Sequence, residues 1–180
     1  MKITTLLGSA ALALVLGASG ALAQSSIRIG HLADYSGGTS DVGTPYGQAV
    51  ADTFAWINKN GGINGTKVDI ETVDYGYQVP RAIAQYKKWT GSDKVAAIMG
   101  WGTADTEALT GFVAQDNIPF LSASYAGQLT DPTGAAGKAK AAPYNFFYGP
   151  SYSDALRAEL TWAADDWKAK GKTGAPKFVH

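Results

Sequence analysis

The sequence contains no cysteine and only two histidines among its 180 residues. The first absence removes disulfides, thiolate zinc sites, iron–sulfur clusters and cysteine nucleophiles together. The second leaves only His31 and His180 for histidine-based metal or triad chemistry, which is too little to build either. Charge of one sign is also missing: 15 Lys and Arg balance 15 Asp and Glu. No block of basic residues interrupts that balance, so nothing is available to neutralise a phosphate backbone, and no nucleic-acid partner is expected. G-x-S-x-G, H-E-x-x-H and P-loop motifs are absent as well. We find no internal repeat and no low-complexity tract. What is present is an ordinary globular composition, 46% hydrophobic and 17% charged, without the bias that marks disorder.

The amino terminus reads as an export signal covering residues 1–23. Lys2 supplies the positive start, Leu6 to Ala18 an apolar stretch, and Ala21-Leu22-Ala23 the small-x-small cleavage site. The stretch is shorter than the ~20 residues needed to cross a bilayer, so no stable membrane insertion is expected after cleavage. The mature chain is expected to begin at Gln24, and its location is expected to be periplasmic.

Strand and helix patterns alternate from there. Ile27 to Leu32 reads as a strand, followed by a polar, Gly-rich loop from Asp34 to Thr44. Pro45 is expected to open a helix, since a first-turn proline loses no hydrogen bond. Tyr46, Val50, Phe54 and Ile57 then recur at helical spacing, and Gly61-Gly62 ends the helix. Asn64-Gly65 marks a tight turn before a second strand through Val68, Ile70 and Val73. Further helices are expected over Pro80–Thr90, Thr103–Gln115 and Asp154–Lys170. Further strands are expected over Val95–Met99, Ile118–Leu121 and Asn145–Tyr148. Thr130–Pro143 reads as a surface loop, and Phe178-Val179 as the opening of another strand. This rhythm predicts an α/β fold, a doubly wound parallel sheet with right-handed crossovers. Ligands of such sheets sit beyond the carboxyl ends of the strands.

That rule directs attention to the loops after the strands. Gly100-Trp101-Gly102-Thr103-Ala104-Asp105 follows a strand and opens a helix, the setting of a ligand-binding helix start. It is no dinucleotide fingerprint, because Asp105 stands where the third glycine belongs, and no cofactor is expected. The simpler reading of Thr103, Asp105 and Glu107 is that they cap the helix, and the two roles are compatible. Trp101 reads either as a packing residue or as an aromatic wall. Ser122-Ala123-Ser124-Tyr125 brings hydroxyls and a ring to the same mouth, and Tyr35 with Ser36 stands in the loop after the first strand. Asp34, Asp41, Asp74 and Asp105 leave open a carboxylate pair of glycosidase type, although no spacing recommends one. His31, inside an apolar strand, reads as structural.

The segments "INKNGGINGTKVDIETVDY", "VAAIMGWGTADTEAL" and "IPFLSASY", taken with the signal and the Ser36-Gly37-Gly38 loop, carry a resemblance from Ile27 to His180. The chain resembles the periplasmic substrate-binding proteins of branched-chain amino acid ABC transporters, the leucine-binding or type I group. The resemblance implies a lobe of flavodoxin-like strand order at 24–148. It also implies a hinge with the start of a second lobe at 149–180, the rest of that lobe lying outside these 180 residues. It implies no enzymatic activity, a small-molecule solute held between two lobes and an ABC permease as partner. The polar head of the solute is then expected at Thr103, Ala104 and Asp105 and at Ser122, Ser124 and Tyr125, with Trp101 and Tyr35 beside it. Amino-acid binders of this group carry small hydroxyl residues where Ala104-Asp105 stands, and an ionised Asp105 competes with a carboxylate for the helix start. Trp101 and Tyr125 favour a bulkier or aromatic solute, or a cation over a ring. The same fold could instead report a ligand to a receptor or regulator. An exported hydrolase using the clustered carboxylates is the remaining alternative.

Overall fold

In the computed structural model, described residues are 26–129, 131 and 141–178. The expected signal segment therefore lies outside them, as does most of the expected 130–143 loop. Five parallel strands form one sheet: β1 (Ile27–Ala33), β2 (Val68–Asp74), β3 (Ala97–Met99), β4 (Phe120–Leu121) and β5 (Asn145–Phe146). Their spatial order is β2-β1-β3-β4-β5, so β2 lies at one edge and β5 at the other. The helices are α1 (Ser40–Lys59), α2 (Val79–Lys88), α3 (Thr103–Asp116) and α4 (Tyr152–Ala169). A single π-helical turn, Trp89–Asp93, continues α2.

The chain moves one way from β1 to β2 and the other way from β2 onward. Right-handed crossovers therefore place α1 on one face of the sheet and α2 with α3 on the other. The larger core fills the second face. Leu32 and Ile98 from the sheet meet Ala82, Tyr86 and Trp89 from the α2 segment and Leu109 and Val113 from α3. Trp89, Tyr86, Tyr75 and Phe120 are essentially fully buried, and each contributes about 1.5–3 kcal/mol of transfer free energy relative to exposure. Gly30 makes room for this packing: a Cβ there would stand 2.6 Å from the Trp89 ring.

Several boundaries differ from the sequence expectation, each for a local reason. Helix α1 begins at Ser40, with Pro45 inside it rather than at its start. The carboxylate of Asp34 captures the amides of Gly37 and Thr39 and turns the chain into the helix early. Lys94 adopts a left-handed backbone, which delays β3 to Ala97 although the Ala96 amide already donates to the Arg28 carbonyl at 2.8 Å. Helix α4 starts at Tyr152 because Ser151 caps it, accepting from the Asp154 amide at 3.1 Å. None of its residues is buried. Phe178 stands in irregular chain rather than in a strand, and Val179 lies outside the described residues.

Candidate functional site

Strand order 2-1-3-4-5 reverses its direction of travel between β1 and β3, and a crevice opens beyond the carboxyl ends of those strands. Two loops meet there. After β1, the buried Asp34 accepts from the Gly37 amide at 2.7 Å and from the Thr39 amide and hydroxyl at 3.1 and 2.6 Å. After β3, the Trp101 indole nitrogen donates to the Thr39 hydroxyl at 2.9 Å. The chain Trp101–Thr39–Asp34 ties the two loops together and fixes the indole on the wall of the crevice.

Helix α3 starts at the same place. Its N-cap, Gly102, lies so close under the Tyr77 ring that a Cβ would collide with it. Tyr77 is itself held at φ +56°, a left-handed backbone costing an ordinary residue roughly 1–2 kcal/mol. Thr103 and Ser124 share a hydroxyl–hydroxyl hydrogen bond of 2.7 Å. Below them the Ser122 hydroxyl accepts from the Ser124 amide at 2.9 Å and pairs with the Thr106 hydroxyl at 2.7 Å. Asp105 points away from these hydroxyls into the core, where the Tyr75 phenol donates to it at 2.6 Å. Burial pushes the Asp105 carboxyl up to about 6, against the opposite pull of the Tyr75 hydroxyl and nearby amides.

The crevice has a volume of about 360 Å³, within the range of small-molecule sites. Thr39, Val42 and Tyr46 line one side, Trp101, Gly102 and Thr103 the floor, and Ser124, Tyr125, Tyr148 and Tyr152 the other side, with Tyr77 and Ala123 completing it. Tyr46 lies against Trp101 with ring centroids 5.0 Å apart. Tyr125 stands nearly perpendicular to Phe147, Tyr148 and Tyr152 at 5.5–6.0 Å, the edge-to-face geometry that the ring quadrupole favours. Burial, and then the neighbouring Tyr148, pushes the Tyr46 phenol up to about 12, so it stays protonated at neutral pH. Among the described residues, no Lys, Arg, Asp or Glu lines the crevice, and no cluster of potential metal ligands exists.

Four of the eight expected site residues meet at this crevice: Trp101, Thr103, Ser124 and Tyr125. The other four do not line it. Ala104 and Asp105 follow Thr103 on a helix, so the 100° step turns them away, Asp105 into the core. Ser122 is buried beneath Ser124 as its support. Tyr35 packs against Gly47 of α1 instead. The carboxylates that a glycosidase-like pair would need do not line the crevice. Asp34 and Asp105 are held as described, and Asp74 accepts from the Tyr35 and Gly76 amides at 3.0 and 3.1 Å. Asp41 lies in the first turn of α1. Thr39, Tyr46, Tyr77, Tyr148 and Tyr152 were not expected at the site. The switch-point rule applied to the loop after β1 would have flagged Thr39. His31, the histidine of the described chain, is buried beneath Tyr46, hydrogen-bonded to the Thr72 hydroxyl at 3.0 Å, and burial lowers its pKa to about 4.

Strand order and crevice position are those of a doubly wound α/β lobe with its site at the switch point. The chain belongs to the periplasmic binding protein family, whose model matches residues 26–175. Among solved structures, an ABC transporter substrate-binding protein from Aeropyrum pernix is 33% identical, with a TM-score of 0.70, covering 79% of this chain and 35% of its own. A branched-chain amino acid ABC transporter protein from Thermus thermophilus, solved with bound valine, shares the fold at 24% identity and a TM-score of 0.71 over 79% of this chain and 36% of its own. A fatty acid ABC transporter substrate-binding protein from Thermomonospora curvata shares it at 19% identity and a TM-score of 0.67, over 79% of this chain and 34% of its own. The chain thus spans about a third of the length of these relatives. No curated protein matches. No helix among the described residues is long and apolar enough to cross a membrane.

Proposed function

We propose that residues 24–148 form the first lobe of a periplasmic solute receptor serving an ABC importer. In this reading residues 1–23 direct export, and 149–180 form the hinge and the start of a second lobe. The solute is an amino acid or a related small polar or aromatic molecule. The observation that carries this reading is the Thr103–Ser124 hydroxyl pair, 2.7 Å apart beside Trp101 at the switch point. Those hydroxyls offer donors and acceptors to a polar head, while the rings around them remove the body of the solute from water. The lobe does no covalent chemistry. Its work is to hold the solute while a facing lobe closes by a hinge, the closed state being stabilised by contacts to both. The permease then recognises that closed state.

The test is a thermal-shift screen of the full chain against amino acids, amides, aromatic acids and quaternary-ammonium compounds. A solute at about 100 times its Kd stabilises the folded state by about 2.7 kcal/mol, a readily measured rise in Tm. Ser124→Ala should abolish the shift caused by the best solute. A screen in which nothing raises Tm overturns the proposal.

A further inference from the structure

Resting on the receptor reading, we infer that the solute presents an organic cation of the quaternary-ammonium class to this crevice. Three observations converge on it. First, the walls are aromatic: Tyr46, Tyr77, Trp101, Tyr125, Tyr148 and Tyr152. A cation near ring faces is attracted by their quadrupoles, most strongly by tryptophan. A quaternary ammonium has no N–H to satisfy, so hydrocarbon-like rings can replace its water without leaving an unpaired donor.

Second, carboxylates stand behind the wall. Asp34 lies one hydroxyl behind Trp101, through Thr39 at 2.6 and 2.9 Å. Asp105 lies two residues beyond Thr103, on the core side of the first turn of α3. No lysine or arginine among the described residues lines the crevice to offset them. Helices α1 and α3 both open on this crevice, and each has a carboxylate of the chain at its start. Asp34 binds the Thr39 amide that precedes α1, and Asp105 sits within the first turn of α3. The positive helix ends that an anionic head would use are thereby compensated.

Third, the Trp101–Thr39–Asp34 chain acts on the ring itself. An indole N–H that donates into a hydroxyl already donating to a carboxylate is polarised toward that anion. The electron density this leaves on the indole makes its face a better partner for a cation. Thr39 is in this sense a positioning and tuning residue, while Trp101 is the contact.

The experiment compares four probes on the full chain, by tryptophan emission and thermal shift. They are choline, its uncharged isostere 3,3-dimethylbutan-1-ol, L-leucine and benzoate. Choline should bind about tenfold more tightly than the isostere, the ratio that a partly desolvated cation–π contact supplies. Thr39→Val keeps the shape but removes the hydroxyl. It should reduce that ratio about threefold, whereas a merely structural loss would weaken choline and the isostere alike and leave the ratio where it was. The wild-type ratio stands by itself if Thr39→Val fails to fold. Equal binding of choline and the isostere overturns the inference. Binding of leucine or benzoate more tightly than choline also overturns it, and leaves the receptor reading standing. If none of the four binds, the cation inference falls, and the receptor reading falls with it only when the wider screen is also blank.

Discussion

The phenol of Tyr75 donates to Asp105 at 2.6 Å inside the core, joining the end of β2 to the first turn of α3. Each side chain is nearly inaccessible to solvent. Among the described residues Tyr75 is the one side-chain donor to this carboxylate; Tyr75→Phe removes it, and under-satisfying a buried acceptor costs about 1–3 kcal/mol. We predict a loss of that size in urea unfolding at pH 7. Asp105→Asn in the same background should restore part of it, because the amide carries no charge to strand.

The buried titratable groups oppose one another with pH. Asp105 is raised to about 6 in the fold, so between pH 4 and 6 the folded state holds a proton that the unfolded chain has released. Stability from this group falls as pH rises through that window, by about 3 kcal/mol at one pKa unit per 1.36 kcal/mol. His31 is lowered from 6.5 to about 4, so the unfolded chain holds the extra proton there. Its contribution is present above pH 6.5 and is lost as pH falls toward 4, again by about 3 kcal/mol. The two nearly cancel between pH 4 and 6. We therefore expect Asp105→Asn to make the protein less stable as pH drops from 6.5 to 4, and His31→Gln to make it more stable. Urea midpoints at pH 4, 5, 6 and 7 separate the two. Parallel pH profiles for wild type and both variants would contradict the assignment.

Gly30 is expected to tolerate no side chain. A Cβ would meet the Trp89 ring at 2.6 Å, and overpacking of a closed core costs typically 1–3 kcal/mol. Gly30→Ala should lower stability by about 2 kcal/mol. With Trp89→Phe added, the double variant should lose less than the sum of the separate losses, since the two sites share one space. A double-mutant cycle reads the coupling directly.

Ser122 and Ser124 should separate stability from binding. Ser122 supports a buried network with Thr106 and the Ser124 amide, so Ser122→Ala should cost about 1–2 kcal/mol in unfolding. Ser124 lines the crevice, and Ser124→Ala should weaken solute binding at a smaller cost in stability. Thermal denaturation with and without the best solute distinguishes them.

Much of the fold was legible because its signals are local. The apolar run around Ile98, the Tyr46–Val50–Phe54–Ile57 stripe and the Gly61-Gly62 stop each report on adjacent residues. Family resemblance and the alternating order agreed on the doubly wound sheet. The site was only half legible. Trp101, Thr103, Ser124 and Tyr125 sit directly after strands, where the switch-point rule looks. Tyr148 and Tyr152 reach the crevice through packing on Tyr125, a tertiary event without a sequence period. Asp105 was misplaced although the period was available. Two residues along a helix from Thr103 is 200° around it, so the two cannot share one opening. The early start of α1 was hidden because Asp34, six residues upstream, makes the turn.

Edge strand β2 carries Asp69, Glu71 and Asp74 among its seven residues. A second copy approaching that edge in antiparallel fashion would set acid against acid along the seam, which disfavours pairing. The strand that seals the seven-pair ladder with β1 is thus poorly suited to template a fibril. A chain with acids along this edge can leave it bare without annealing to its neighbours.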